Sequence, residues 1–248
     1  MHPVPSLASV CYALGYLSGL AGFLWMARRR GLATEAIGII VASALVGGLV
    51  FANLSQWVVT GSGGKSILGG IAGGYLSVIL AKKWIGLNRP LGDLFAVAIC
   101  AGEAVGRWGC YFGGCCYGKP THLPWAIWQN GALRHPTQIY LSLSCAAILF
   151  VLLQVEKLEC EENMLFFVEG LLYCSARFFV EFLRDTPTTA CGLSAAQWGC
   201  LVGILFFTCK ITNSRTRGKA SARTRFALDS PPQQPPIISS PIAGELTP

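Results

Sequence analysis

The chain has 248 residues, 53% of them hydrophobic and only 12% charged, with a formal net charge of +7. A soluble domain carries roughly 25% charged residues, so this sequence has too little charge to coat its own surface, and a water-soluble globular protein is excluded. Its cations lie in short runs between apolar segments and toward the C-terminus, which is the distribution of a membrane protein rather than of a nucleic-acid binder.

Seven apolar segments are predicted, near residues 7–27, 36–59, 66–81, 91–106, 137–155, 164–183 and 193–210. Most approach the roughly 20 residues that cross a bilayer as a helix. The expected fold class is therefore all-α, a polytopic membrane protein of about seven transmembrane helices. In the first segment, "YALGYLSGLAGFLWMA" runs into Arg28, Arg29 and Arg30 and has no basic stretch before it, so it reads as a retained helix rather than a cleaved signal peptide. The third, "SILGGIAGGYLSVILA", carries Gly69, Gly70, Gly73 and Gly74. Small residues at four-residue spacing let helix backbones approach closely in lipid, and packing within the bundle is favoured here over a dimer face. Cations follow the first segment, the third (Lys82, Lys83, Arg89) and the last (Lys210, Arg215, Arg217, Lys219, Arg223, Arg225). Basic alternate loops predict an outside N-terminus and a cytoplasmic C-terminus. Residues 1–213 are expected to form the membrane domain, and 214–248 a basic and then Pro- and Ser-rich cytoplasmic tail without fixed structure.

The ionisable residues inside or at the mouths of these segments carry the first functional signal. Glu103 and Arg107 are four apart in "GEAVGR" and share a helix face. Arg177, Glu181 and Arg184 repeat that arithmetic in "ARFFVEFLRD". A charge in hydrocarbon costs about 2.5–3.5 kcal/mol on insertion scales, so such groups pair in the bundle interior or line a cavity. Two readings stand: a buried ion-pair network that fixes helix register, and a cationic pocket for an anionic headgroup. The second is favoured, because two separate segments bring an arginine to one side and a guanidinium grips phosphate oxygens as a planar fork. In "LRHPTQIY", Pro136 suits the first turn of a helix, with Thr137, Gln138 and Tyr140 at its start. His135 reads as a base, a ligand or a hydrogen-bonding wedge.

The stretch "GRWGCYFGGCCYGKPT" holds the only dense group among eleven cysteines: Cys110, Cys115 and Cys116. C-x4-C-C lacks the second pair of a structural zinc site, and no metal is expected. A disulfide from Cys110 to one of the vicinal pair, thiols made reactive by Arg107, a metal shared with His122 or His135, and plain packing all remain open.

In order along the chain, Gly-Arg-x-Gly with its Gly-rich run, "RHPTQIY", "YCSARFFVEFLRD" and "GLSAAQ" resemble the motifs of the prolipoprotein diacylglyceryl transferases. The resemblance spans nearly the whole chain except the tail. It implies a seven-helix bacterial inner-membrane enzyme with an outside N-terminus and a site open to the outer leaflet. It also implies the substrates, phosphatidylglycerol and a preprolipoprotein, with other membrane lipids around it and no cofactor. Matched position by position, it assigns catalytic roles to Arg107, Arg177 and Tyr173, and substrate contacts to Tyr12 and Gly118. Gln138, Glu181 and Arg184 are placed beside them as substrate-binding residues, and His135 as a candidate base.

The departures are as specific. Cys110 and Gly113 stand where the family signature has asparagines, and Cys115 where it has a glutamate. Leu68 replaces the family histidine before paired glycines, Leu49 an arginine, and Leu141 a glutamate. The phosphate-holding half of the pattern is kept while its usual base is missing. The alternative reading is a catalytically altered relative that binds anionic phospholipid or works through thiol chemistry at Cys110, Cys115 and Cys116.

Overall fold

The computed structural model describes residues 5–32, 34–60, 67–158 and 161–229. In order, these form α1 (Pro5–Arg29), α2 (Thr34–Thr60), α3 (Ile67–Trp84), α4 (Gly92–Phe112), strands β1 (Ile127–Gln129) and β2 (Ala132–Arg134), α5 (Thr137–Glu156), α6 (Met164–Phe182) and α7 (Ala195–Asp229). A single 3-10 turn spans Ala190–Gly192. The chain divides into two compact units after Ile211. The second unit's described residues are the part of α7 that runs to Asp229, past the start of the expected tail at 214, and residues 230–248 lie outside the described part.

Among the described residues, four helices, α1, α2, α5 and α7, are long and apolar enough to cross a membrane. The charges that set α4 and α6 apart are Asp93, Glu103 and Arg107 on one and Glu169, Arg177 and Glu181 on the other. The protein is a polytopic membrane protein with an all-α bundle. Its outward faces carry Val46, Trp57, Tyr75, Phe150, Val202 and Leu205, each more than half exposed. In a bilayer such residues meet acyl chains, and the helices satisfy their own backbone groups.

At the centre stands α4, which packs against α1, α5 and α6, while α2 and α3 pair with each other. The core joins Phe23, Met26 and Ala27 of α1, Ile40 of α2, Leu94, Val97 and Cys100 of α4, Leu152 of α5 and Leu165 of α6. Lipid tails are as apolar as these side chains, so close packing rather than water exclusion holds the helices together. The glycines make that packing possible. A Cβ on Gly15 would lie 2.8 Å from the Cα of Gly106, so α1 and α4 touch backbone to backbone. In α3, Gly69, Gly70, Gly73 and Gly74 face α2 around Gly47 and Gly48, which is the internal use expected of them.

The end of the bundle that holds the start of α4 is closed by reciprocal caps. Asp93, buried, accepts the backbone N–H groups of Asn163 at 3.1 Å and Phe166 at 3.3 Å, while Asn163 Oδ1 accepts the N–H of Gly92 at 3.0 Å. Each side chain satisfies donors that the other helix's first turn leaves open. Arg30 pairs with Asp93 at 3.3 Å and Arg29 with Glu156 at 2.8 Å. The opposite end holds Arg107, Arg177, Glu181 and Arg184.

Candidate functional site: the polar end of the bundle

The fourth helix is longer than the apolar run predicts. It continues through Phe112, so Arg107 and Cys110 project from its last two turns and do not belong to a loop. Gly106 and Gly109 serve close contact. Gly106 lies against Gly15, and the ring of Tyr12 lies over Gly109, where a Cβ would come within 2.7 Å of it. Tyr12 Oη then donates to Cys110 Sγ at 3.5 Å, which puts the first-helix tyrosine beside the thiol group.

Arg107 ion-pairs with Glu103 one turn earlier and donates from Nη2 to Tyr173 Oη at 3.1 Å. That bond crosses from α4 to α6. One turn beyond Tyr173 on α6, Arg177 Nη2 reaches Glu181 Oε2 at 3.1 Å, and Arg184 Nη1 reaches the same oxygen at 3.5 Å. Glu181 is 4% exposed, and its other oxygen accepts the hydroxyls of Thr186 at 3.1 Å and Ser194 at 3.3 Å. The side chains of Arg107, Arg177 and Arg184 are each only 15% exposed. Three partly buried guanidiniums with two carboxylate partners leave fork N–H groups for an anion, and each bidentate grip adds geometric selectivity.

A small cap covers this end. Asn130 and Gly131 both have positive φ, 47° and 77°, the signature of a two-residue hairpin turn, and they join β1 to β2 with Gln129 opposite Ala132. Backbone bonds tie the cap to the end of α6, from Lys119 N–H to Leu183 O at 2.8 Å and from Asp185 N–H to Tyr117 O at 3.3 Å, while Gly118 N–H donates to His135 O at 3.1 Å within the cap. Gly118 is pressed between them, where a Cβ would sit 2.6 Å from His135 O and 2.8 Å from Leu183 O. The residues expected on one side of the membrane thus share one end of the bundle.

The start of α5 holds the cysteine loop. Thr137 Oγ1 donates to Cys116 O at 2.7 Å, and Gln138 Nε2 donates to Cys115 O at 2.7 Å and to Gln129 Oε1 at 3.1 Å. Both side chains are buried. Gly114 and Cys116 take left-handed backbone, φ 66° and 62°, so the chain doubles back on the last turn of α4. The sulfurs of Cys110, Cys115 and Cys116 come within 4.8 Å of one another, and all three are free thiols. The Cys116 thiol is pulled below its ordinary range by a hydrogen bond from Cys110 and by the charges of Arg184 and Arg107, with burial opposing. Burial pushes the Cys115 thiol up.

His135 stands apart from that group. Its Nδ1 meets Tyr140 Oη at 3.4 Å, and the same phenol accepts Trp125 Nε1 at 2.8 Å. The backbone of His135 is paired on both sides, to Lys119 and Gly118. The side chain of Leu68 lies outside the described residues.

Two buried charged residues escape the sequence reading. Arg134, buried, joins Asp185 at 2.7 Å, donates to Gln129 O and Gly118 O at 3.1 Å each, and lies 4.7 Å over the ring of Tyr117. The signal was the Asn-Gly dipeptide, which announces a hairpin and so a fixed place for the residue ending its second strand. Glu169, 5% exposed on α6 one turn before Tyr173, is the other.

Comparison with known proteins agrees with this architecture. The sequence model of the prolipoprotein diacylglyceryl transferase family matches residues 4–212. A phosphatidylglycerol–prolipoprotein diacylglyceryl transferase of Clostridioides difficile is 29% identical over 211 residues, covering 79% of this chain and 85% of its own length. That of Geobacter sulfurreducens is 31% identical over 214 residues, covering 75% and 80%. The Streptomyces coelicolor relative, named as transferase 1, is 30% identical over 229 residues, covering 81% and 67%. With a family match over most of its length and an arginine-lined polar end to its bundle, this chain is a member of the prolipoprotein diacylglyceryl transferase family.

Proposed function

We propose that this protein moves a diacylglyceryl group from phosphatidylglycerol to the thiol of the lipobox cysteine of a preprolipoprotein. In this reading all seven helices cross a bacterial inner membrane, the N-terminus is outside, and the polar end opens to the outer leaflet. The observation that carries the reading is the bond from Arg107 on α4 to Tyr173 on α6, with Arg177 one turn further along. It places two mostly buried guanidiniums on facing helices around one phenol.

The chemistry follows from that pairing. The lipid phosphate carries negative charge, and more of it gathers on the phosphate ester oxygen as the glyceryl C–O bond breaks. Arg107 and Arg177 hold the phosphate and stabilise that developing charge. Donors already held in place in a low-dielectric site act most strongly there. Tyr173 fixes the Arg107 fork and gives up no proton. Glu181 keeps Arg177 and Arg184 in place, which assigns it an anchoring role behind the substrate, and Gln138 supports the loop from its buried position. Gly118 and Tyr12 shape the wall around the thiols.

The test is reconstitution. Purified protein in phosphatidylglycerol-containing vesicles, given a lipobox peptide, adds one diacylglyceryl group to the cysteine and releases glycerol phosphate. Absence of both products under those conditions sinks the proposal, and tight phosphatidylglycerol binding without turnover would favour the lipid-binding alternative.

A further inference from the structure

Alkylating a thiol requires the thiolate, and the His135 ring spends its Nδ1 on Tyr140 Oη at 3.4 Å rather than on a sulfur. What the polar end does offer is three sulfurs. Cys110 comes from the last helical turn, and Cys115 and Cys116 from the loop that folds back on it, with Cys115 N–H donating to Cys110 O at 3.1 Å. Thr137 and Gln138 pin the two loop carbonyls, so the arrangement is held from a neighbouring helix. Tyr12 supplies a hydrogen bond to Cys110 Sγ from a second one.

Their spacing suits one ion. A zinc-sized cation with sulfurs at about 2.3 Å brings three thiolates to roughly 3.8–4.0 Å from each other. The observed limit of 4.8 Å leaves at most about an ångström to close. Three soft donors select a thiophilic d10 ion over magnesium or calcium. Hydrogen bonds to the ligand sulfur and to the ligand backbones are the outer contacts such sites use to fix their geometry. A disulfide would consume two of the sulfurs and leave the third beside them without a role.

We propose that Cys110, Cys115 and Cys116 bind a single thiophilic d10 cation of the zinc class, and that its fourth position takes the acceptor thiol. The second half rests on the transferase reading above; the first does not. A coordinated thiol loses its proton outright. That proton passes to water, the bound sulfur attacks the glyceryl carbon of the lipid, a C–S bond forms as the C–O bond to phosphate breaks, and glycerol phosphate leaves with the electron pair. The cation is neither oxidised nor reduced. A metal-activated thiol thereby does the work for which the family pattern has a histidine at the position of Leu68.

Cadmium(II) titration of the full-length protein in detergent, with a phosphine reductant, reads the site without any activity. A sulfur-to-cadmium charge-transfer band saturating at one ion per chain is expected, and it disappears in the C110S/C115S/C116S variant. Alkylation mapped by mass spectrometry on the wild-type chain needs no variant to fold. At a hundredfold excess of cadmium over its Kd, Cys110, Cys115 and Cys116 are slowed about a hundredfold, while exposed Cys191 reacts as before. A band that survives in the triple variant, or three cysteines alkylated at the same rate with and without cadmium, overturns the site. In the reconstituted assay, chelation stops transfer and zinc(II) restores it. Transfer that survives chelation and metal-free purification overturns the thiol-activating role, and a site that binds cadmium in a protein with no transfer overturns the transferase reading instead.

Discussion

Arg107 and Tyr173 are joined across the α4–α6 boundary by a 3.1 Å bond from the guanidinium Nη2 to the phenol oxygen. The two residues are 66 positions apart in the chain, so the bond aims an arginine by means of another helix. Arg107→Ala is expected to lower kcat/KM in the reconstituted assay by about 10²–10³, the usual cost of removing one donor to developing negative charge. Arg107→Lys recovers little, because an ammonium lacks the planar fork. Tyr173→Phe removes only the aiming bond, and a loss of about 1 kcal/mol, roughly fivefold, is expected.

Glu181 is the hinge pin of α6. Replacing it with alanine leaves Arg177 and Arg184 mostly buried without their shared carboxylate, a change that costs about 3–5 kcal/mol in buried ion pairs. The apparent Tm in detergent should fall sharply for Glu181→Ala. Glu181→Gln keeps acceptors for Thr186 and Ser194 and should fall less. Equal Tm values for wild type and Glu181→Ala would show that the network bears no weight.

Gly118 has no room for a side chain. Gly118→Ala drives a methyl into the His135 carbonyl and the Leu183 carbonyl, and overpacking of this kind costs about 1–3 kcal/mol. The backbone ladder from the cap to α6 should loosen. Limited proteolysis is expected to cut within 113–136 faster in this variant while the helices stay intact.

Arg134 binds the hairpin, the Gly118 segment and Asp185 together. Its loss in Arg134→Ala is expected to cost about 1.5–3 kcal/mol, the range for hydrogen bonds to a charged group. Asp185→Asn should cost much less, since the Asp185 side chain is 49% exposed and water replaces the lost charge. Thermal melts of the two variants side by side check the order.

Orientation is open to a chemical test. Cys191 is exposed at the same end as the cap, next to Gly192 and ahead of α7. A membrane-impermeant maleimide should label it from the periplasmic face of spheroplasts, and labelling only after lysis would reverse the proposed topology.

The helices were legible because a run of apolar residues long enough to span lipid admits little else. Residues 137–155 are expected and Thr137–Glu156 is found, and 164–183 corresponds to Met164–Phe182. The pairing of Glu103 with Arg107 and of Arg177 with Glu181 was equally readable, since i to i+4 geometry is local. What the sequence hid was contact between distant segments. Nothing local pairs the glycines at 106 and 109 with Gly15 and Tyr12, which lie against them. Thr137 and Gln138 look like the polar start of a helix, yet they grip two carbonyls more than twenty residues upstream. No spacing rule relates those positions.

That grip sets an order of assembly. Cys116 leaves the ribosome 21 residues ahead of Thr137, and the arginines of α6 come later still. While the chain is being made, the thiol loop lacks the Thr137 and Gln138 bonds that hold it from α5, and the first four helices can insert without a finished site. The polar end is completed only when the fifth and sixth helices arrive. A nascent or truncated chain ending before Thr137 therefore carries its three thiols on a loop without its α5 anchors.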